Sequence, residues 1–365
     1  MSYLSPIATA NPGKPIKQMQ IAEFMQKAMQ LNEADARKLR VIFKASGIEQ
    51  RYSVLEDYGK TEGFQFYPEN LSAKHPDTKT RNEIFQQHAL PLAQQAAAKA
   101  IERAKIKQNE ITHLIVVSCT GLYAPGLDID LVNALHLSPF TERTAINFMG
   151  CYAAFNGLKT ADAIVKANPS SKVLLVCCEL CSIHFQQEAS DDNLLANALF
   201  ADGCAATIIT AQAGDYPALQ IENYANAIAP KGAQDMAWTI GNFGFEMKLS
   251  TYVPAIVEEG IANLCNRLLE RYHLTASQIK HFAIHPGGVK ILQAIEKALG
   301  LSKESNRFAY EVLQQFGNMS SPTVLYVLKS LMQNLQVDNR EEKIVSFAFG
   351  PGLTLESMLF TYRHG

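Results

Sequence analysis

One order of segments is written twice in this chain, about 168 residues apart, with reactive side chains at matching points of each copy. The first copy runs from the apolar His113-Leu-Ile-Val-Val-Ser118 through a helical pattern over 127–137 to Phe148-Met-Gly-Cys151 and a second apolar run over 172–178. The second copy runs from His281-Phe-Ala-Ile-His285 through a helical pattern over 290–299 to Phe316-Gly-Asn318 and an apolar run over 343–349. The offsets hold nearly constant: 168 residues from His113 to His281, 167 from Cys151 to Asn318 and 171 from Lys172 to Lys343. In each copy a short β-rich run ends in small or reactive residues and gives way to a helix, the alternation that builds buried, mainly parallel sheets. Ligands of such sheets sit at the strands' C-terminal ends, so two similar halves packed together are expected to share one site. Turn formers in Ala211-Gln-Ala-Gly-Asp-Tyr-Pro217 mark the expected boundary, giving halves 1–215 and 216–365.

A chain of 365 residues with 47% hydrophobic content has enough apolar surface for two such cores. Its formal net charge of −2 supplies no field to hold nucleic acid or an anionic membrane, so the expected partner is a small molecule or another subunit. No window reaches the roughly 18 apolar residues of a membrane span, and no basic-then-apolar leader opens the chain; a soluble, cytoplasmic protein is expected. Five of the seven cysteines (Cys119, Cys177, Cys178, Cys181, Cys204) lie in or beside apolar runs, which suits buried, reduced thiols. Ahead of the first copy, residues 16–50 read as helical, 51–79 as a surface excursion and 80–107 as an Ala- and Gln-rich helix.

Cys151 follows Gly150 and opens a helical stretch over 152–166. Unpaired N–H groups and the positive end of the helix dipole favour a thiolate there, although a small cysteine filling space beside a close-packed helix is the simpler alternative. His285 ends a strand-like run before Pro-Gly-Gly, at the strand's C-terminal mouth; such a histidine is more often a hydrogen-bonded structural residue. Asn318, in Phe316-Gly-Asn-Met-Ser-Ser-Pro, reads by itself as a helix N-cap. The repeat places Asn318 where Cys151 sits in the other half. An amide N–H beside an imidazole would then give two donors aimed at one carbonyl oxygen.

Gly150-Cys-Tyr-Ala-Ala, His285-Pro-Gly-Gly, Gly317-Asn-Met-Ser-Ser and Phe349-Gly-Pro-Gly-Leu-Thr354 together resemble the type III polyketide synthases, the chalcone synthase-like family, over essentially the whole chain. The resemblance implies an α/β thiolase fold with a duplicated αβαβα layered architecture, a homodimer, and Cys151, His285 and Asn318 as the catalytic triad. It implies acyl-CoA and malonyl-CoA as substrates, with no resident cofactor and no metal. The cysteine would take the acyl group, and the histidine and asparagine would hold a malonyl thioester as it loses carbon dioxide. His285 would also stabilise the Cys151 thiolate as an ion pair.

The basic residues Arg37, Lys38, Arg40, Lys44 and Arg51 read first as a solvated helix face; Arg37, Arg40 and Lys44 resemble the family's contacts to the phosphates of coenzyme A. Cys119, Thr120, Cys181, His184, Phe200, Met247, Ser320 and the turn Gly350, Pro351, Gly352 fall on cavity positions of the family, with Phe200 similar to its gatekeeper. Plant members commonly have threonine at 119, 181 and 184, phenylalanine at 247 and methionine at 124; cysteines at 119 and 181 look like bacterial makers of alkylpyrones and tetrahydroxynaphthalene. The run from Cys177 to His184 lacks a second ligand pair at zinc-site spacing, and Cys177 and Cys178 would point to opposite faces. A β-ketoacyl-carrier-protein synthase III-like enzyme or a hydroxymethylglutaryl synthase is the alternative within the fold; a catalytically silent acyl-CoA-binding subunit is the alternative of another class.

Overall fold

The computed structural model describes residues 1–69, 75–229, 232, 234–250 and 252–364. The chain opens with strands β1 (Ser2–Leu4), β2 (Ala8–Ala10) and β3 (Ile16–Lys17), helices α1 (Gln18–Ala28) and α2 (Glu33–Ala45), and strand β4 (Gln50–Arg51). Helix α3 (Thr78–Arg103) leads into β5 (His113–Ser118), α4 (Leu127–Ala134), β6 (Glu142–Asn147), α5 (Ala153–Ala167), β7 (Val173–Leu180), α6 (Asp191–Leu199) and β8 (Asp202–Thr210). There follow β9 (Ala218–Ile228), the hairpin β10 (Met236–Gly241) and β11 (Gly244–Leu249), α7 (Val253–Leu269), β12 (His281–Ile284), α8 (Val289–Leu299), α9 (Arg307–Phe316), α10 (Thr323–Asn334), β13 (Lys343–Gly350) and β14 (Thr354–Arg363).

The duplication is visible in the strand pairing. Strand β5 runs parallel to β7, β7 antiparallel to β8, and β8 antiparallel to β1. In the other half β12 runs parallel to β13, β13 antiparallel to β14, and β14 antiparallel to β9. Order and sense agree strand for strand, and the two sets meet where β1 pairs antiparallel with β9. Strand β6 extends the first set beside β5 and forms its outer edge.

Helices α5 and α10 occupy the layer between the two sets: α5 packs on β5 and β7 and also reaches β14, while α10 packs on β12 and also reaches β8. Helix α3 covers the outer face of the first set with α4, and α7 with α8 covers the second. The two faces of β7 show why its sequence is apolar throughout. Val173, Leu175 and Cys177 pack in the core that includes α5, and Leu174, Val176 and Cys178 in the core that includes α3. The five layers are those implied by the resemblance.

Two local expectations are corrected. The helical reading of 16–50 breaks into α1 and α2, because Asn32 accepts from the Asp35 N–H and starts a new helix after Gln30 takes a positive φ of 49°. The surface excursion over 51–79 begins instead with strand residue Arg51, which is buried; its residues 70–74 lie outside the described residues. Since α5 follows directly on the turn that holds Cys151 and lies between the two strand sets, truncation inside it is expected to be costly. Leu158→Ala, at a fully buried position, should lower the stability measured by urea denaturation by ~2–5 kcal/mol. A change below about 1 kcal/mol would contradict the placement of α5 in the central layer.

Candidate active site

Cys151, His285 and Asn318 line one buried cavity of about 30 Å3, at the C-terminal ends of the parallel strands, together with Cys119, Thr120, Cys181, Phe200, Met247, Ser320 and Pro351. Each side chain is set there by local backbone. Cys151 lies in a single 3-10 turn, Gly150–Tyr152, that runs directly into α5. Gly150 has φ +78°, and a Cβ there would fall 2.3 Å from Pro351 Cδ, so glycine is what lets the turn after β13 close over the cysteine. His285 extends β12 by one main-chain bond, its N–H donating to Phe347 O at 2.8 Å. Both ring nitrogens of His285 are buried with no hydrogen-bond partner among the described residues.

Asn318 sits in a strained loop: Gly317 has φ +68° and Ser320 φ +59°. It is not an N-cap, since α10 begins after Pro322 and Asn318 Oδ1 instead accepts from the Ser320 N–H at 2.8 Å. That bond fixes the amide's orientation and leaves Nδ2 without a partner among the described residues. The Cys151 thiol lies 4.0 Å from Asn318 Oδ1. Two main-chain bonds tie the loop to the other half, Asn318 N–H to Leu199 O and Ala201 N–H to Asn318 O, both 2.9 Å.

The cavity is dry enough to disfavour isolated charge. Burial pushes the Cys151 thiol up to about 11, Ser320 and Asn318 pull it back by hydrogen bonding, and the Glu179 carboxylate pushes it further. Burial holds His285 down at about 3. The standing thiolate expected from the helix start is therefore not the state of either group taken alone. Moving one proton from sulfur to imidazole creates both charges together, and their attraction in a low dielectric offsets part of the two desolvation costs.

Two cavity expectations need correction, those for His184 and for the glycines at 350 and 352. His184 faces an adjacent cavity, where its ring stacks on Phe245 at 4.3 Å, Nε2–H donates to Thr120 O at 2.8 Å and Nδ1 accepts from Phe245 N–H at 3.0 Å. Burial holds it near pKa 3, so it is a neutral structural imidazole. Gly350 and Gly352 flank Pro351 without lining the cavity: a Cβ at Gly350 would meet the Tyr152 ring, and Gly352 serves the turn with φ +72°. Arg37 and Lys44 are exposed on α2 and Arg40 binds Gln26 Oε1 at 2.6 Å; the neighbouring face of α2, with Lys38, Ile42 and Ala45, borders a groove of about 270 Å3. That groove shares Leu249, Gly287 and Ile291 with the cavity around Cys151 and so leads to it.

Two residues of the site were not singled out from the sequence. Glu179 is fully buried and gathers the Cys119 N–H at 2.9 Å, the Thr120 hydroxyl at 2.8 Å and the Ser321 hydroxyl, fixing one wall of the cavity. A glutamate closing an otherwise apolar strand was the available signal. Trp238, the chain's one tryptophan, crosses the cavity from β10 and donates from Nε1 to Cys119 O at 2.7 Å. It stands in no repeat and no motif.

The family models for the chalcone and stilbene synthases match almost end to end, the N-terminal domain over residues 2–213 and the C-terminal domain over 220–362. The chain belongs to this family, the type III polyketide synthases. It is 31% identical over the whole of both chains to a "Putative chalcone synthase" of Bacillus subtilis, and 30% identical to the "Alpha-pyrone synthesis polyketide synthase-like Pks18" of Mycobacterium tuberculosis, with 99% of this chain and 91% of that protein covered. It also matches "Probable polyketide synthase 1" of Dictyostelium discoideum at 32% identity over 97% of itself, spanning only 11% of that much longer protein. Among solved structures, the C-terminal type III polyketide synthase domain of "Steely1" from Dictyostelium superposes with a TM-score of 0.91 at 29% identity, covering 99% of each chain. This synthase is thus a thiolase-fold acyltransferase of the decarboxylative condensing kind.

Whether a proton can pass from Cys151 to His285 in this synthase is tested by the pH dependence of iodoacetamide alkylation at Cys151. The imidazole is the base to which the sulfur's proton would move, so its removal should raise the apparent pKa. In His285→Ala the apparent pKa of alkylation is expected to lie above that of wild type. Coincident profiles would show that no proton is shared.

Proposed function

We propose that this synthase loads an acyl-CoA starter on Cys151, decarboxylates and condenses malonyl-CoA units at His285 and Asn318, and cyclises the chain to an alkylpyrone, a resorcinol or another polyphenol. Cys151 Sγ passes its proton to His285 and attacks the starter thioester, and the departing CoA sulfur takes that proton. Malonyl-CoA then loses carbon dioxide; the electron pair of the broken C–C bond becomes an enolate whose oxygen accepts from His285 and from Asn318 Nδ2. The enolate carbon attacks the acyl-Cys151 thioester, releasing sulfur and leaving a β-ketoacyl-CoA. Each donor is worth about 3 kcal/mol to such a transition state.

The observation that carries this reading is the free hydrogen-bonding capacity at the cavity: both His285 nitrogens and Asn318 Nδ2 lack a partner among the described residues. Buried polar groups without partners are costly unless a ligand completes them. The same observation disfavours a silent subunit, which would gain nothing from it. Coenzyme A would lie in the groove beside α2 with its phosphates toward Arg37, Arg40 and Lys44.

Purified protein is expected to release carbon dioxide from malonyl-CoA and, given a ladder of acyl-CoA chain lengths, to convert one length range into cyclised products read by mass. Wild-type protein inert toward malonyl-CoA would favour the silent subunit, and dependence on a carrier protein would favour the ketoacyl synthase alternative.

We further propose that the synthase acts as a cytoplasmic homodimer through the edge of its sheet. Among the described residues strand β6 has no neighbour on its outer side, five of its six residues are exposed, and Phe140 just before it is 89% exposed. Such an edge is a template for pairing with a second copy. Wild type should sediment as a dimer and Phe140→Asp should shift toward monomer; a wild-type monomer at micromolar concentration would contradict the proposal.

A further inference from the structure

Resting on the role given to Asn318 above, we propose that Arg51 is a positioning residue of the decarboxylation step: its buried guanidinium holds the C-terminal end of α6 and, through it, the main chain of Asn318. In sequence Arg51 closes a run of basic residues, but the fold separates it from them. Arg37 and Lys44 face outward, whereas Arg51 is 1% exposed at the end of β4.

The end of α6 makes the case. The last carbonyls of a helix need partners from outside it, and here the C-cap Phe200 is extended (φ −78°, ψ 144°), so no glycine turn supplies them. Arg51 Nη1 donates to Asn197 O at 2.9 Å and also to Phe200 O. Arg51 Nε donates to Gln18 Oε1 at 2.8 Å, and Gln18 Nε2 in turn donates to Ala198 O at 2.8 Å. The remaining carbonyl, Leu199 O, accepts from the N–H of Asn318 at 2.9 Å. Four consecutive carbonyls are thus divided between Arg51, the glutamine that Arg51 holds, and the candidate catalytic asparagine. A cation at a helix C-terminus also complements its dipole.

The stem of Arg51 bears on the same loop. A Cβ at Gly317 would fall 2.8 Å from Arg51 Cγ and Cδ and 3.0 Å from Leu199 O, so the residue before Asn318 rests directly on the arginine. The flanking chain spans both halves: Glu49 N–H donates to Gln314 O at 2.8 Å, and Asp202 N–H donates to Tyr52 O at 3.0 Å. Asp202 bonds the Val54 and Ser182 N–H groups and the Ser182 hydroxyl rather than the guanidinium. Arg51 therefore keeps its charge in the interior without a paired carboxylate, although burial lowers its pKa to about 10. A methionine would fill that space at less desolvation cost; what it would lack is the fork of donors that sets the α6 end against Asn318.

Arg51→Met, which retains the stem and loses every donor, is expected to lower kcat for malonyl-CoA decarboxylation ~10- to 100-fold while KM moves less than about threefold, since Asn318 is displaced and not removed. Iodoacetamide alkylation of Cys151, set in the other half, should stay within about twofold of wild type. Arg51→Lys, one cation without the fork, should recover part of the loss. Gly317→Ala perturbs the same contact from the other side and should show the same split, which keeps the test open if Arg51→Met does not fold. Decarboxylation within about threefold of wild type in folded Arg51→Met, or an equal fall of decarboxylation and alkylation in both variants, overturns the inference. Asn318→Ala in the same assays separates the two ideas: undiminished decarboxylation there removes the role of Asn318 and this inference with it, whereas loss there beside an unaffected Arg51→Met removes this inference alone.

Discussion

The site depends on two main-chain hydrogen bonds, one residue apart, that join Leu199 and Ala201 of one half to Asn318 of the other. A duplicated fold supplies two similar sheets and two similar helix starts, but nothing in the duplication alone decides how the copies meet. This short parallel bridge does. It sets Phe200 beside Asn318 at one wall of the cavity and leaves the asparagine amide free to face Cys151. The central layer reinforces it, because α5 and α10 each touch strands of both halves and each follows shortly after residues that line the cavity, Cys151 and Ser320. A rigid site between two halves needs this kind of redundancy, since a shift of one ångström in either half would separate sulfur from its donors.

A second constraint is electrostatic. The same burial that aligns the donors raises the cost of charging any one group, which is why the thiol of Cys151 and the imidazole of His285 are pushed in opposite directions. Charge in such a cavity has to appear in pairs or on an oxygen already met by donors. Thioester chemistry suits that rule: sulfur exchange moves one proton within the site, and loss of carbon dioxide carries away a carboxylate as the enolate charge appears.

Much of this was legible in the sequence because the chemistry is local to motifs and the duplication is periodic. The matching positions of Cys151 and Asn318 in the two copies indicated a shared cleft, and each follows a glycine, Gly150 and Gly317, that takes a positive φ. Residues whose role comes only from long-range packing were not legible. Glu179 could be noticed as a charge in an apolar strand, but its donors come from two separate segments, residues 118–120 and Ser321. Trp238 reaches the cavity from a hairpin that belongs to neither copy's repeated order. His184, read as a cavity residue, is turned away by its stacking on Phe245, and Arg51, read with a solvated cluster, is turned inward by the carbonyls of α6. In both cases the side chain's direction follows from partners far away in sequence.

The central claim is that one thioester oxygen meets both donors of the C-terminal half while its carbon faces the sulfur of the N-terminal half. A crystal structure with a malonyl thioester analogue that cannot lose carbon dioxide tests it most directly. The thioester oxygen is expected ~3 Å from a ring nitrogen of His285 and from Asn318 Nδ2, on the Cys151 side of the cavity. An oxygen directed toward Glu179 and Cys119, with His285 and Asn318 still unpartnered, would contradict it.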